Sequence, residues 1–421
     1  MYNLTTLKNG LTLITIDLPH LDSVTTMVAV GAGSRYETRK INGISHFSEH
    51  MFFKGSKKYP TTEQIATLID GVGAVHNAAT SKEYTFYFIK SASQHIELAT
   101  DILSSMLKES LLSEEEIERE KGVITEEIRM YQDDPKRYIW DLYEKLQFGD
   151  QPLGWMLAGD EKTIQSFSRE DFVGYMKSLY TPKNMAVILV GKLPKNVNSL
   201  VEKYFSDLKD EPFNKFESFK VEKQTKPRIN IYYKKTDQAN LVLGVESYNR
   251  RDPKRYAARV LSLILGEGMS SRLFLQVRER RGLAYHVMSA FEPYIDTGSF
   301  IAYAGLKLEK VEEGLQIIKD EMEKLKIEKV EAEELIKAKE MEKGRMALRS
   351  ESTNFLAEYY GLDFVLDREV ETIEEYLKHI DKVTAEDVMM VAQELFQKEK
   401  YNLQIIAPLE DTSPFEKILN S

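Results

Sequence analysis

The chain has 421 residues, no cysteine and a formal net charge of -10 at pH 7. That length predicts two or more domains with sizeable cores, the missing cysteines exclude disulfides and thiolate metal sites, and the acidic balance argues against nucleic acid and anionic membranes as partners while favouring basic peptide segments. A mean hydropathy of -0.38, no apolar run approaching roughly 18 residues and an N-terminus without signal or presequence features predict a cytoplasmic protein with no membrane span.

In chain order, Leu11 to Ile16 and Val24 to Val30 read as strands. Gly31-Ala32-Gly33 and Gly71-Val72-Gly73 lack the third glycine of a dinucleotide fingerprint, and neither a G-x-S-x-G nor a Walker-type loop occurs, so the glycines mark turns. His46-Phe47-Ser48-Glu49-His50 lies in a segment that reads as helix. Residues four apart share a helix face, which lets both imidazoles bind one metal ion. On a helical wheel Ile44, Phe47 and Met51 gather on one side and His46, Glu49 and His50 on the other. Nitrogen ligands beside a carboxylate suit zinc, and Glu49 stands where it can take a proton from a water. H-x-x-E-H is the inverted zincin signature.

Thr62 to Ile69 reads as a helix, Glu83 to Lys90 as an aromatic-rich strand and Ile96 to Leu107 as another helix. Ser113 then caps a helix with acids in its first turn and an apolar stripe of Ile117, Ile124, Ile128 and Tyr131. Glu120 and Glu127 fall beside that stripe and Glu126 away from it. A carboxylate on an apolar face calls for a cation, a histidine or an arginine, so this helix offers the third ligand that a catalytic zinc needs.

Met185 to Gly191 reads as a buried strand, and the charged stretch with Pro212 and Pro227 as an interdomain linker. Boundaries are expected at 1–210 for a first domain, 211–228 for the linker and 229–421 for a second domain. An internal repeat supports them. Ser168-Arg169-Glu170-Asp171 opens a helix ending at Leu179-Tyr180, Thr384-Ala385-Glu386-Asp387 one ending at Leu395-Phe396, and each is followed by a strand. Ile96 to Leu107 with the helix start at Ser113 likewise matches Val311 to Leu325 with Val330-Glu331. Two copies of one fold are predicted. His286 and His379 stand alone in the second copy, which confines a histidine metal site to the first.

The H-x-x-E-H motif, Glu120 and Glu127, Gly55, Asn77-Ala78-Ala79-Thr80 with Glu83 and Tyr84, Gly268-Met269-Ser270-Ser271-Arg272-Leu273, and the run from Arg278 to Tyr285 together resemble pitrilysin-type zinc metallopeptidases of the mitochondrial processing peptidase-like branch. The resemblance covers nearly the whole chain. It implies an α+β protein of two homologous domains, each a largely antiparallel sheet packed with helices, closing as a clamshell. It assigns one zinc per chain to His46, His50 and Glu127, with Glu49 as general base, then acid, and Glu120 orienting a histidine ligand. Arg278 and Tyr285 would reach the substrate and the tetrahedral intermediate. Asn77, Ala78, Ala79 and Thr80 would receive a peptide as an added strand.

Heterodimeric relatives divide the zinc motif and the Arg/Tyr pair between subunits, whereas this chain carries both, so activity without a different partner, as a homodimer, is expected. The implied activity is that of a zinc endopeptidase. A non-catalytic scaffold, like the core subunits of the respiratory cytochrome complex, is the alternative, but such subunits have lost ligands that this chain keeps. Two departures from the family pattern are Ser48, where leucine is usual, and His76 ahead of the Asn-Ala segment.

Overall fold

In the computed structural model, which describes residues 2–209, 211–213 and 215–421, two sheets each carry helices on both faces. Asp210, at the expected end of the first domain, and Asn214, inside the expected linker, lie outside the described residues.

The first sheet contains β1 (Asn3–Thr6), β2 (Thr12–Asp17), β3 (Ser23–Val30), β4 (Val75–Thr80), β5 (Thr85–Ala92) and β6 (Met185–Gly191), in the order β1-β2-β6-β3-β5-β4. Only β2 and β6 pair in parallel; every other neighbouring pair is antiparallel. The unbroken apolar run of β6 follows from burial on both faces. Val187 and Leu189 join the core shared with the helices Ile44–Phe52 and Ile96–Glu109, while Ile188 meets the helix Thr353–Asp367. That helix comes so near that a Cβ at Gly361 would lie 2.7 Å from Ile188 Cδ1, closer than two carbons pack.

The second sheet contains β7 (Arg228–Tyr233), β8 (Gln238–Glu246), β9 (Ala284–Pro293), β10 (Gly298–Lys307) and β11 (Asn402–Ala407), in the order β7-β11-β8-β10-β9. Again one pair, β7 with β11, is parallel and the rest are antiparallel. One face carries the helix Pro135–Phe148, whose Ile139 and Tyr143 pack with Val242, Ile301, Tyr303 and Ile406. The other carries the helices Arg255–Gly266, Val311–Ile327 and Ala385–Leu395.

The two sheets match strand for strand: β2, β6, β3, β5 and β4 correspond to β7, β11, β8, β10 and β9, with the same pairing senses. The repeat read from the sequence is therefore a repeat of fold. The chain divides into two compact units, one of Met1–Arg129, Trp155–Glu217 and Ala347–Thr372, the other of Met130–Gly154, Ser218–Met346 and Ile373–Ser421. Each includes one long helix from the opposite half of the sequence: Thr353–Asp367 packs in the first unit and Pro135–Phe148 in the second. Among the described residues no helix is long and apolar enough to cross a membrane.

Candidate metal centre

The helix Ile44–Phe52 starts from Gly43, whose φ of +98° favours glycine and whose Cβ would fall 2.6 Å from the Ala158 carbonyl oxygen. Gly43 has no side chain to cap the free N–H groups of the first turn. Glu37 replaces it. Its fully buried carboxylate accepts from the Gly43 and Ser45 backbone N–H groups, each at 2.8 Å, from Ser45 Oγ at 2.6 Å and from Asn42 Nδ2 at 2.9 Å. Burial outweighs these donors and pushes the Glu37 carboxyl up to about 7. The apolar face of the helix is anchored by Ile44, Phe47, Met51 and Phe52, all buried, with Phe47 edge-on to Phe172 at 4.9 Å between centroids. Ser48 is also fully buried, and its hydroxyl finds no hydrogen-bond partner among the described residues.

This anchoring fixes the opposite face. The His46 and His50 rings lie 4.8 Å apart. The helix Glu114–Asp133 brings Glu127 to both: its Oε1 is 3.8 Å from His46 Nε2 and its Oε2 3.5 Å from His50 Nε2. One ligand atom from each residue lies within 4.8 Å of the others. Tetrahedral bonds of about 2.1 Å set ligand atoms about 3.4 Å apart, so the spacing suits one metal ion after a small contraction.

Charge agrees with geometry. Burial, reinforced by His50, pushes His46 down to about 4, which keeps it neutral with a lone pair to give. Burial also works against charge on His50, but its hydrogen bond with Glu120 and the nearby Glu127 carboxylate outweigh it and raise its pKa. The carboxylates thus draw positive charge toward His50, the demand a metal cation answers. Two imidazoles and a carboxylate are a donor set that fits zinc.

Glu120, almost wholly buried, faces the far side of His50: its Oε1 is 3.4 Å from Nδ1, and its other oxygen pairs with Lys54. Burial opposes its ionisation, yet the bonds to His50 and Lys54 win and hold the carboxyl below its usual range. Glu49 turns toward β4 and accepts a hydrogen bond from the Thr80 hydroxyl. Burial raises its pKa above that of an ordinary glutamate, against the lowering effect of Thr80.

Asn77, Ala78, Ala79 and Thr80 lie on β4, an edge strand paired only with β5. Asn77 is exposed, Ala78 buried in the core and Thr80 half-buried. His76 is exposed, with its ring 5.4 Å from that of Phe53. In the second unit, Tyr285 is 75% exposed on the edge strand β9, and the Arg278 guanidinium stacks on its ring at 4.8 Å. The structure thus gathers His46, His50, Glu49, Glu120 and Glu127 around one point and joins Arg278 to Tyr285 in a separate pair.

Two residues at the centre escaped the sequence reading. Lys54 follows His50 by the same four-residue step that links the histidines, a usable signal. Glu37 had only an indirect one: Asn42-Gly43 ahead of the helix supplies no Ser, Thr or Asp at the cap, so the cap had to come from elsewhere.

Comparison with known proteins identifies the family. Residues 12–161, which hold every residue gathered at the point above, match the family described as Insulinase (Peptidase family M16), and residues 166–342 match the Peptidase M16 inactive domain. The chain is 36% identical over 407 residues to a Bacillus subtilis (strain 168) protein named "Uncharacterized zinc protease YmxG", covering 96% of this chain and 97% of that one. The chain belongs to peptidase family M16. Another M16 relative, from Streptomyces coelicolor and also named a zinc protease, is 34% identical over 414 residues, covering 97% of this chain and 90% of its own. The M16 fold is matched by the crystal structure of a protease from Helicobacter pylori, with a TM-score of 0.90 and 25% identity over 97% of this chain and 99% of that one.

Proposed function

We propose that this M16 member is a zinc endopeptidase that cuts peptides or unfolded polypeptide segments, with one zinc per chain held by His46, His50 and Glu127. The convergence of these three side chains, with the Glu49 carboxylate beside them, carries the reading. Zinc held there would supply Lewis acidity toward a water and the scissile carbonyl. The protein's own groups do the rest. Glu49, its proton affinity raised by burial, takes the proton of the attacking water as the new C–O bond forms, and passes it to the amine as the C–N bond breaks. Glu120, tied to Lys54, orients His50. The open edge of β4 receives the substrate as an added strand. Tyr285, with Arg278 stacked on it, donates to the developing oxyanion. The chain acts without a different partner, as a cytoplasmic homodimer, a state that light scattering reads directly.

The second reading, a scaffold without activity, draws on residues 166–342, which match a domain described as inactive. The three-residue cluster lies outside them. Metal content and turnover of a quenched peptide separate the two. The purified chain is expected to hold zinc and cleave; Glu49→Gln should keep the zinc and lose about 10² to 10⁴ in turnover, and Tyr285→Phe should keep the zinc and lose about 10² to 10³ in kcat. A zinc-loaded chain that cleaves no peptide, or an active Glu49→Gln, sinks the endopeptidase reading.

A further inference from the structure

The base proposed above is gripped by one residue of the strand proposed to bind substrate. Thr80 donates its hydroxyl to Glu49 Oε2. The resemblance places Thr80 among the substrate contacts of β4; its hydroxyl bonds to Glu49.

The two ends of β4 differ. At its start Val75, His76 and Asn77 are exposed along a sheet edge. Its end is clamped. Thr80 pairs with Thr85 across the hairpin, and Ser81 N–H bonds to Tyr84 O at 2.8 Å. The tip is pinned to the segment after β3: Ser34 N–H donates to Ser81 O at 3.2 Å, Arg35 N–H to Lys82 O at 2.8 Å, and Thr85 Oγ1 to Ala32 O at 2.9 Å. Lys82 Nζ donates to Trp155 O at 2.6 Å, and Arg35 forms a buried ion pair with Glu83. The segment that pins the hairpin also carries Glu37, which caps the metal helix. The strand is therefore open where a peptide can pair and rigid where it holds the base.

We propose that Thr80 is a positioning residue that aims the Glu49 carboxylate, so that a peptide paired along β4 meets the base in a register set by the same strand. This rests on the endopeptidase reading of the site. A carboxylate held by a hydroxyl on a clamped strand end keeps its direction, and a base must be within hydrogen-bond reach of the proton it removes. Thr80→Val keeps the β-branched shape and the backbone N–H but loses the hydroxyl. The loss should fall on kcat, because the pairing edge of β4 is unchanged.

The test compares the zinc-loaded full chain with Thr80→Val, Thr80→Ser, Glu49→Gln and the Glu49→Gln/Thr80→Val double variant, measuring zinc content, kcat and KM on one quenched peptide. Thr80→Val is expected to retain zinc, to lose about 10- to 100-fold in kcat, the worth of one charge-assisted hydrogen bond, and to leave KM within about twofold. Thr80→Ser should recover most of the rate, and Thr80→Val should add nothing to Glu49→Gln. If Thr80→Val fails to hold zinc, Thr80→Ala replaces it. A loss carried by KM, a full kcat in Thr80→Val, a serine variant as slow as valine, or a further loss on top of Glu49→Gln overturns the proposal. Failure of the underlying reading looks different: the wild-type chain cleaves nothing or Glu49→Gln matches it, and both readings then fall together.

Discussion

The two units answer one electrostatic problem in opposite ways. In each, a short helix lies against a long helix carrying an acid turned toward it, half-buried Glu127 in the first and buried Glu342 in the second: Ile44–Phe52 with Glu114–Asp133, and Arg255–Gly266 with Ala332–Arg349. The first places His46 and His50 opposite Glu127. The second places Arg259 opposite Glu342, with Nε–Oε1 at 3.1 Å and Nη2–Oε2 at 2.9 Å, and adds Glu267, Arg345 and the Tyr376 hydroxyl, which donates to Glu342 at 2.7 Å. Burial opposes charge on Glu342, yet the Arg259 guanidinium outweighs it and holds the carboxyl below its usual range. The second unit carries its cation covalently. The first sets Lys54 against Glu120 and leaves two imidazoles facing Glu127, the place proposed above for a metal cation. One fold thus supports a closed ion cluster or a metal centre, depending on which side chains occupy the short helix.

The sharpest break in this contrast is Glu127→Gln. It should lower zinc occupancy and abolish cleavage, as removal of zinc by a chelator should, while Glu126→Gln, on the outer side of the same helix and paired with Arg129 at 2.7 Å, should change little. Zinc content and peptide turnover of the two variants decide the ligand register, and the opposite ranking overturns it. The Arg259 cluster has no metal to lose, so a chelator should leave it untouched.

That His46, His50 and Glu127 would share one place was legible because the H-x-x-E-H spacing and the placement of Glu127 beside an apolar stripe are local facts of helix geometry. The buried run Met185–Gly191 was legible from composition, an unbroken apolar stretch that suits a strand covered on both faces. The exchange of Pro135–Phe148 and Thr353–Asp367 between units was not: periodicity shows that a helix has an apolar face, never which sheet it covers. Thr80 entered only through the resemblance, as a substrate contact, because nothing local in the sequence reveals a hydroxyl bonded to a helix 31 residues earlier. Glu37 hid in a polar loop, since a carboxylate's burial depends on what folds over it.

A smaller effect tests the covalent cation. Glu342→Leu leaves the Arg259 charge short of a partner in a buried place and should cost about 3 kcal/mol of stability, with zinc content and turnover per folded molecule unchanged. Replacing both partners, Arg259→Met with Glu342→Leu, should recover most of that loss, because a buried pair replaced by apolar groups of similar size is often neutral. Denaturant unfolding of the single and double variants reads both. Should the double variant be no better than the single, the cluster contributes through Glu267 and Tyr376 rather than through the pair.

An effect of at most that size lies at the start of the two short helices. The second unit's helix begins in half-exposed surroundings, where Asp252 accepts from the Lys254 N–H at 2.8 Å. The first unit's is capped by the buried Glu37, whose pKa rises from 4.5 to about 7 through desolvation. A carboxyl whose folded pKa lies above its unfolded value binds more protons folded than unfolded. Its contribution is complete below pH 4.5 and is lost as pH climbs through 7. The folded chain should therefore lose up to about 3 kcal/mol across that window from this group alone. Glu37→Gln removes the titration. It also disturbs the cap, so it lowers stability at every pH, and the informative quantity is the slope between pH 5 and 7.5, not the offset. A wild-type-minus-variant stability difference that shrinks with rising pH fits a cap that is best tolerated protonated. A difference that grows with pH means that the four donors, and not desolvation, govern Glu37, and that the metal helix starts from a carboxylate ionised throughout.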